Sequence, residues 1–175
     1  GALDRIVFLE NVQVKALCDI RPEKAEAARK KFEGTSHSPV VYAGKADEWK
    51  KLCERDDIDL IYICNPWNLP APMALYAMEH GKHVAVEIPA ATTVEDCWKL
   101  VETSGRTRKH CMMLENCCYD FFDLLTLNMA RQCFFGEVVH VEGAYIHDIY
   151  ASFFDKTKRY DSWRLRENIR KGNLY

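Results

Sequence analysis

The chain has 175 residues, of which 48% are hydrophobic and 29% are charged, and its formal net charge is −2. This composition is typical of a globular protein, and the length suits one domain and part of a second. The charge gives no basic footprint for nucleic acid, and no apolar run approaches the length of a membrane span. We therefore expect neither a nucleic-acid partner nor a transmembrane helix.

The apolar residues of the first 114 positions alternate between helical spacing and short strand-like runs. Pro22 can open a helix, and Gly81 can end one. In chain order, the predicted elements are a helix over 2–9, a strand over 12–18, a helix from Pro22, a strand over 40–42, a helix over 46–53, a strand over 60–64, a helix over 71–80, a strand over 83–86, a helix from Thr93 and a strand over 111–114. This alternation predicts right-handed βαβ units in a parallel sheet with helices on both faces.

The helix that follows Thr93 has two local signals. Thr93 and Asp96 have the spacing of a capping box, in which the threonine side chain accepts a hydrogen bond from the backbone N–H three residues on. The residues at helical spacing that we expect to face the core are Val94, Cys97, Trp98 and Val101.

The eight cysteines show no C-x-x-C spacing, so the sequence predicts no zinc site. They stand at positions 18, 53, 64, 97, 111, 117, 118 and 133. Cys18, Cys64 and Cys111 lie in strand-like runs, where a free cysteine acts as a small apolar core residue. We interpret the cysteines as reduced thiols, with the adjacent pair Cys117 and Cys118 as the exception to watch.

Polar or turn residues follow four of the predicted strands. These residues are Asp19, Asn65, Glu87 and Asn116. The carboxyl ends of parallel strands meet at one rim of the sheet, where open α/β folds bind their ligands. Pro89 cannot continue a strand ladder and fixes the end of the strand that carries Glu87. The rim therefore predicts a ligand site, although a solvent-facing loop glutamate is the alternative for Glu87.

Asp19 has the position of an acidic residue that accepts hydrogen bonds from the ribose diol of NAD. The glycine-rich loop expected before such a residue is missing, and Gly1 is a candidate for its last glycine. We therefore expect the first strand and most of that loop to precede residue 1. An aspartate that caps a helix is the alternative.

A different composition begins near Tyr119. The pattern predicts a helix over 121–135, ended by Gly136, and an alternating strand over 137–147 that places Tyr145 and His147 on one face. The predicted fold class is α/β, with a Rossmann-type parallel-sheet domain over 1–118 that lacks its first strand. The start of an α/β substrate domain, itself cut short, follows over 119–175.

With these residues in view, the chain resembles the glucose–fructose oxidoreductase / inositol dehydrogenase family. Glu87-Ile88-Pro89 stands where that family has Glu-Lys-Pro, so the lysine that serves its dehydrogenases as acid/base is absent. The runs over 113–119, Met-Leu-Glu-Asn-Cys-Cys-Tyr, and over 143–148, Gly-Ala-Tyr-Ile-His-Asp, are similar to glycoside hydrolase family 109, whose founding activity is an NAD-dependent α-N-acetylgalactosaminidase.

The resemblance implies site residues and NAD as the cofactor. The implied cofactor contacts are Asp19, Trp67, Asn68, Leu69, Pro70, Glu87, Ile88, Asn116 and Arg164. The implied substrate contacts are Tyr145 and Tyr175, and the implied catalytic residues are Tyr119 and Tyr175. Pro70 departs from the family, which usually has histidine there. The family also continues beyond Tyr175 into Pro-Thr-His-Gly, which includes a candidate catalytic histidine.

The implied reaction is glycoside hydrolysis through transient oxidation at C3 of the sugar, elimination, addition of water and return of the hydride. The implied partner is a small sugar or glycan terminus, with a homo-oligomer as a further expectation. The alternatives are a sugar or cyclitol dehydrogenase and a non-catalytic nucleotide-binding chain. Tyr119 could instead be an aromatic core residue, and Trp67 could simply pack the loop. The family suggests a periplasmic or secreted location, although no signal peptide is visible.

Overall fold

The computed structural model describes residues 2–144, 146 and 148. It divides into two compact units, Gly1–Met113 and Leu114–Tyr175. The elements in chain order are α1 (Leu3–Ile6), β1 (Ala16–Asp19), α2 (Pro22–Lys30), β2 (Val40–Ala43), α3 (Glu48–Cys53), β3 (Leu60–Ile63), α4 (Pro70–Glu79), β4 (His83–Glu87), α5 (Val94–Thr107), β5 (Cys111–Leu114), a 3₁₀ helix (Asn116–Tyr119) and α6 (Phe121–Arg131).

The strands form two sheets. β1 pairs in parallel with β2, and β3 pairs in parallel with β4, which has β5 on its other side. The predicted α/β alternation and parallel pairing are therefore confirmed. The described residues provide no strand that joins β1 to β3. In a doubly wound sheet, that place belongs to the first strand.

The core of the first unit lies on one face of the β3–β4 pair. Ile63, Val84 and Val86 are buried there against the small residues Ala74 and Ala77 of α4. Alanines on the inner face of α4 let the helix approach the sheet closely. Each buried Val or Ile side chain stabilises the fold by about 1.5–3 kcal/mol relative to an exposed one.

The other face of the same strand pair is only half covered in the described structure. Tyr62, Ala85 and Glu87 are partly buried on this face, and Leu60 is exposed. The register pairs Tyr62 with Ala85, so Tyr62 and Glu87 are diagonal neighbours. This half-open face leads directly to the rim where the sequence predicts a ligand.

The predicted start of α2, the predicted turn after α4 and the predicted cap of α5 agree with the structure. Pro22 and Pro70 occupy the first turns of α2 and α4, where their missing N–H groups cost nothing. Gly81 ends α4 with φ +77°, a backbone conformation that favours glycine. The Thr93 side chain accepts a hydrogen bond from the Asp96 backbone N–H at 3.1 Å, which confirms the predicted cap of α5.

The predicted inner face of α5 is wrong. Val94, Cys97, Trp98 and Val101 are all exposed, whereas Leu100 and Thr103 are buried. The packing of α5 on α4 sets its rotation, because Leu100 joins the core. Beyond that contact, Arg106 Nη1 donates to Glu79 Oε2 of α4 at 3.1 Å.

The predicted strand over 137–147 is also not formed among its described residues. Residues 137–144 and 146 are extended or irregular without strand pairing, and Val139, Val141 and Ile146 are exposed. An alternating pattern becomes a strand only where a partner supplies the hydrogen bonds. The predicted helix over 121–135 ends earlier, at Arg131, and Cys133 then takes φ +58°. Tyr145 and His147 lie outside the described residues.

The predicted core placement of the strand cysteines needs correction. All eight cysteines are free thiols, but only Cys53 is buried. Cys18 and Cys64 are exposed, and Cys111 is intermediate. They lie toward strand ends or on less covered faces, where alternation does not guarantee burial.

Candidate functional site

The carboxyl ends of β1, β3 and β4 bring acidic groups to one rim of the first unit. Asp19 ends β1, Glu87 ends β4, and Cys64 directly follows β3. Although Cys64 is exposed as a residue, desolvation of its thiol raises its pKa, and the charges of Glu87 and Asp19 raise it further. The structure therefore brings Asp19 and Glu87 into electrostatic range of the same group, as the sequence predicts for a shared rim.

Glu87 is held by a tyrosine that the sequence analysis did not identify. The Tyr62 hydroxyl donates a hydrogen bond to Glu87 Oε1. Desolvation raises the pKa of Tyr62, and the hydrogen bond and charge of Glu87 raise it further. Tyr62 therefore stays protonated at neutral pH and acts as a donor that orients the carboxylate.

Asp19 is fixed by the residue that precedes α2. The Arg21 backbone N–H donates to Asp19 Oδ1 at 2.8 Å, and the Arg21 side-chain Nε lies 3.9 Å from the same oxygen. The Asp19 side chain is about one-third exposed. The carboxylate is therefore oriented by its own loop while part of it stays accessible at the rim.

The loop after β3 divides into buried and accessible residues. Trp67 is only 5% exposed, and Pro70 is fully buried at the start of α4. Asn68 is exposed and Leu69 is half-buried, with the Leu69 N–H donating to the Pro66 carbonyl at 2.9 Å. Of the predicted loop contacts, Asn68 and Leu69 are therefore the accessible ones, and Trp67 mainly packs the loop.

Ile88 is exposed immediately after Glu87, and the Ile88–Pro89 peptide is cis. Beyond it, an apolar groove of about 390 Å³ runs between the segment after β4, α5 and β5. Its lining residues are Pro89, Ala90, Ala91, Cys97, Leu100, Val101, Ser104, Cys111 and Met113. The groove offers almost no polar group to orient a ligand.

The second unit carries two more predicted residues on its 3₁₀ helix. The Glu115 side chain accepts from the Cys117 N–H at 3.0 Å and so caps this turn. The Asn116 amide nitrogen lies 3.9 Å from Cys117 Sγ, and Tyr119 is 62% exposed. Tyr119 is therefore not an aromatic core residue in the described structure.

Three predicted residues, Tyr145, Arg164 and Tyr175, lie outside the described residues. Within the described part of the chain, no group of three or more His, Cys, Asp or Glu could hold a metal ion. No helix in that part is both long and apolar enough to cross a membrane.

The rim, its fixed carboxylates and the βαβ topology define a nucleotide-binding α/β protein. Residues 5–115 match the family model described as "Oxidoreductase family, NAD-binding Rossmann fold". The chain belongs to this family, as the sequence resemblance predicts, and it carries an NAD-binding Rossmann domain. Residues 119–173 match a second model, the C-terminal domain of glycosyl hydrolase 109.

Comparison with individual proteins shows similarity to members of glycosyl hydrolase family 109. The chain is 53% identical to an α-N-acetylgalactosaminidase of Bacteroides fragilis, over 99% of this chain and 42% of that protein. It is 51% identical to a glycosyl hydrolase family 109 protein of Bacteroides thetaiotaomicron, over 100% of this chain and 37% of that protein. The chain thus spans about two-fifths of the length of these relatives. A solved NAD-binding protein from Listeria innocua is similar at 27% identity and a TM-score of 0.64, over 78% of this chain and 37% of that one.

Proposed function

We propose that the chain belongs to an NAD-dependent glycosidase that acts on α-N-acetylgalactosaminides. One observation carries the proposal. A single chain joins an NAD-binding Rossmann domain to a segment that matches the C-terminal domain of glycosyl hydrolase 109. The named activity of the Bacteroides fragilis relative supports the choice of sugar.

The residues of the first unit fit a dinucleotide at the rim. Asp19 presents a partly exposed carboxylate oxygen that can accept hydrogen bonds from a ribose diol. Its negative charge opposes a 2′-phosphate, so we propose NAD rather than NADP as the preferred cofactor. Asn68 and Leu69 are the accessible loop residues that would border it.

Glu87 and Ile88 would lie beside the nicotinamide half. Tyr62 keeps the Glu87 carboxylate oriented, and its raised pKa keeps the hydroxyl protonated as the donor. NAD held there would supply a hydride acceptor for C3 of the sugar and a hydride donor for its return, and the ketone present in between would make the C2 proton acidic. This use of NAD lies outside the two-carboxylate scheme of most glycosidases.

The second unit would supply the groups that act on the sugar. Tyr119 is exposed, and we assign it the role of base toward the C2 proton. Asn116, on the same turn, would contact the cofactor. Arg164 is assigned to the cofactor, Tyr145 to the sugar, and Tyr175 to sugar binding and catalysis.

A sugar dehydrogenase is the competing function, because other members of the family are oxidoreductases. The residue between Glu87 and Pro89 weighs against it, since Ile88 has no group that can exchange a proton where the dehydrogenases have lysine.

The test uses the full-length protein with p-nitrophenyl α-N-acetylgalactosaminide and NAD. Nitrophenol release and NADH absorbance are followed together. We expect nitrophenol without net NADH. Accumulation of NADH would establish the dehydrogenase instead, and the absence of both signals from protein that binds NAD would rule out both catalytic functions.

A further inference from the structure

Two adjacent cysteines lie on the 3₁₀ helix of the second unit. Cys117 and Cys118 are both exposed free thiols. They stand between Asn116 and Tyr119, the first and last residues of this helix. Asn116 and Tyr119 have roles in the proposed function, whereas the thiols have none. A reaction of the thiol pair would therefore change the turn that carries two proposed site residues.

A small number of hydrogen bonds hold this turn. The Glu115 side chain accepts from the Cys117 N–H at 3.0 Å, and the Asp120 N–H donates to the Cys117 carbonyl at 3.0 Å. All four residues of the turn are exposed. Little packing therefore opposes a rearrangement of its backbone, and segments of this kind open at low cost in free energy.

The geometry of the turn is incompatible with a disulfide between the two cysteines. In a 3₁₀ helix, successive side chains point about 120° apart around the axis. Adjacent Cα atoms are also only about 3.8 Å apart, below the usual Cα separation of about 4.4–6.8 Å in a disulfide. Bond formation between the two sulfurs therefore requires new backbone angles at both cysteines, which removes the turn. Strained or exposed disulfides of this kind are easily reduced again.

The third cysteine of the second unit is too distant to compete. Cys133 is exposed, but the 11 residues of α6, Phe121–Arg131, lie between it and the 3₁₀ helix. A helix of this length spans about 16 Å. Cysteines whose Cα atoms are more than about 7 Å apart cannot be bridged without movement of the backbone. The adjacent pair is therefore the disulfide that this unit can form while α6 stays intact.

We propose that Cys117 and Cys118 are a redox-active dithiol, and that its oxidation by a low-molecular-weight disulfide unwinds the 3₁₀ helix and displaces Tyr119. One cysteine thiolate attacks a sulfur of the small disulfide and expels a thiolate. The other cysteine then attacks the mixed disulfide and expels the second thiolate. The pair loses two electrons and two protons, and the small disulfide becomes two thiols. The effect on catalysis rests on the proposed function, in which Tyr119 is the base.

The acidic residues around the pair set the rate of this reaction. A hydrogen bond to the Glu115 side chain raises the pKa of the Cys117 thiol, and desolvation and the charges of Glu115, Asp120 and Asp123 raise it further. The thiolate is the attacking form, so these groups slow the oxidation. Glu115→Gln keeps an oxygen that can accept the Cys117 N–H but removes the charge. We expect this variant to be oxidised faster than the wild type.

The first test exposes the reduced full-length protein to glutathione disulfide, alkylates the remaining thiols and locates the disulfide by peptide mass mapping. We expect a bond between Cys117 and Cys118 in the wild type and in the matched control Cys133→Ser, and none in Cys118→Ser. Hydrogen exchange over 115–121 should be faster in the oxidised wild type and return to its former rate after reduction. A glutathione adduct without ring closure, or unchanged exchange in the disulfide form, would overturn the inference.

The second test measures nitrophenol release from p-nitrophenyl α-N-acetylgalactosaminide. Oxidation should lower the activity of the wild type at least about tenfold, because the base is displaced, and reduction should restore it. Cys118→Ser should keep its activity under the same oxidant. Full activity of the disulfide form would overturn the switch. If the reduced protein releases no nitrophenol, the proposed function fails instead, and the disulfide mapping and hydrogen exchange still decide whether the dithiol unwinds the turn.

Discussion

Tyr62 and Glu87 form a hydrogen-bonded pair across two parallel strands, with the tyrosine hydroxyl donating to the carboxylate at the end of β4. The contact joins the middle of β3 to the rim, because the register pairs Tyr62 with Ala85, two residues before Glu87. The carboxylate at the rim is thus oriented by a residue that does not itself end a strand. The pair lies on the half-open face of the sheet.

We predict that Tyr62→Phe weakens both stability and NAD binding. The substitution leaves a partly buried carboxylate without its donor, which should lower the free energy of unfolding by about 1 kcal/mol. NAD binding should weaken severalfold because Glu87 loses its fixed orientation. Chemical denaturation and NAD titration provide the measurements.

The matched control for this pair is Tyr76→Phe. Tyr76 also donates to a glutamate, Glu54 at 2.7 Å, but it lies near the end of α4 farthest from the rim. Its loss should leave NAD affinity unchanged. Equal NAD affinities for Tyr62→Phe and the wild type would show that the pair does not orient a cofactor group.

The pH dependence of the pair follows from the raised pKa of Tyr62. A tyrosine whose folded pKa lies above its unfolded value contributes stability that is complete below pH about 10. That contribution declines as the pH rises toward the folded pKa, because the unfolded chain loses the proton first. Tyr62→Phe should therefore remove part of the alkaline loss of stability expected for the wild type, and denaturant unfolding of both proteins between pH 8 and pH about 11 measures the difference.

The sequence correctly predicts the features of the fold that depend on residue spacing and local backbone preference. The Thr93 cap, the Gly81 turn and the parallel pairing agree with the structure because each follows from spacing and local backbone preference. Tyr62 and Arg21 were not predicted as site residues. Their roles come from strand register and from a side chain turned back on its own loop, which no single-sequence period encodes.

The two wrong predictions, the inner face of α5 and the strand over 137–147, have the same physical cause. Val94, Trp98 and Val101 form a helical stripe, but contact with α4 selected the neighbouring stripe that contains Leu100. The alternating run over 137–147 predicts a strand, yet its described residues have no pairing partner. Periodicity shows that a segment can bury a face, whereas packing partners decide which face is buried and whether it is buried at all.

We predict that Leu100→Ala destabilises the first unit far more than Val101→Ala. Leu100 is 7% exposed and Val101 is 64% exposed on the same helix. Truncating the leucine should cost about 2 kcal/mol, near the low end for such changes because one side borders the open groove. Val101→Ala should cost less than about 0.5 kcal/mol. Urea unfolding of both variants measures the two losses of stability. A larger loss of stability in Val101→Ala than in Leu100→Ala would contradict the observed orientation of α5.

We predict that all eight cysteines react with a thiol reagent under denaturing conditions and that Cys53 is the slowest in the native protein. Cys53 is 1% exposed, and desolvation raises its pKa to about 11. Little thiolate therefore forms at pH 8, and the reagent has no access without opening of the fold. The slowest phase of the thiol reaction in the native protein should therefore disappear in Cys53→Ser. A deficit that reductant restores would reveal a disulfide instead.

We predict that Asp19→Asn removes the negative charge at the end of β1 and keeps the local backbone geometry. In Asp19→Asn, the side-chain oxygen can still accept the Arg21 backbone N–H that now lies 2.8 Å from Oδ1, so the loop should keep its shape. The negative charge is lost, and with it the stronger hydrogen bond to the ribose diol and the repulsion of a 2′-phosphate. We expect NAD affinity to fall about tenfold while NADP affinity stays equal or rises. Titration of the wild type and Asp19→Asn with each cofactor measures these affinities.

Asp57→Asn serves as the control, because Asp57 pairs with Arg55 in the loop before β3. Unchanged affinity for both cofactors in Asp19→Asn would remove Asp19 from the binding site.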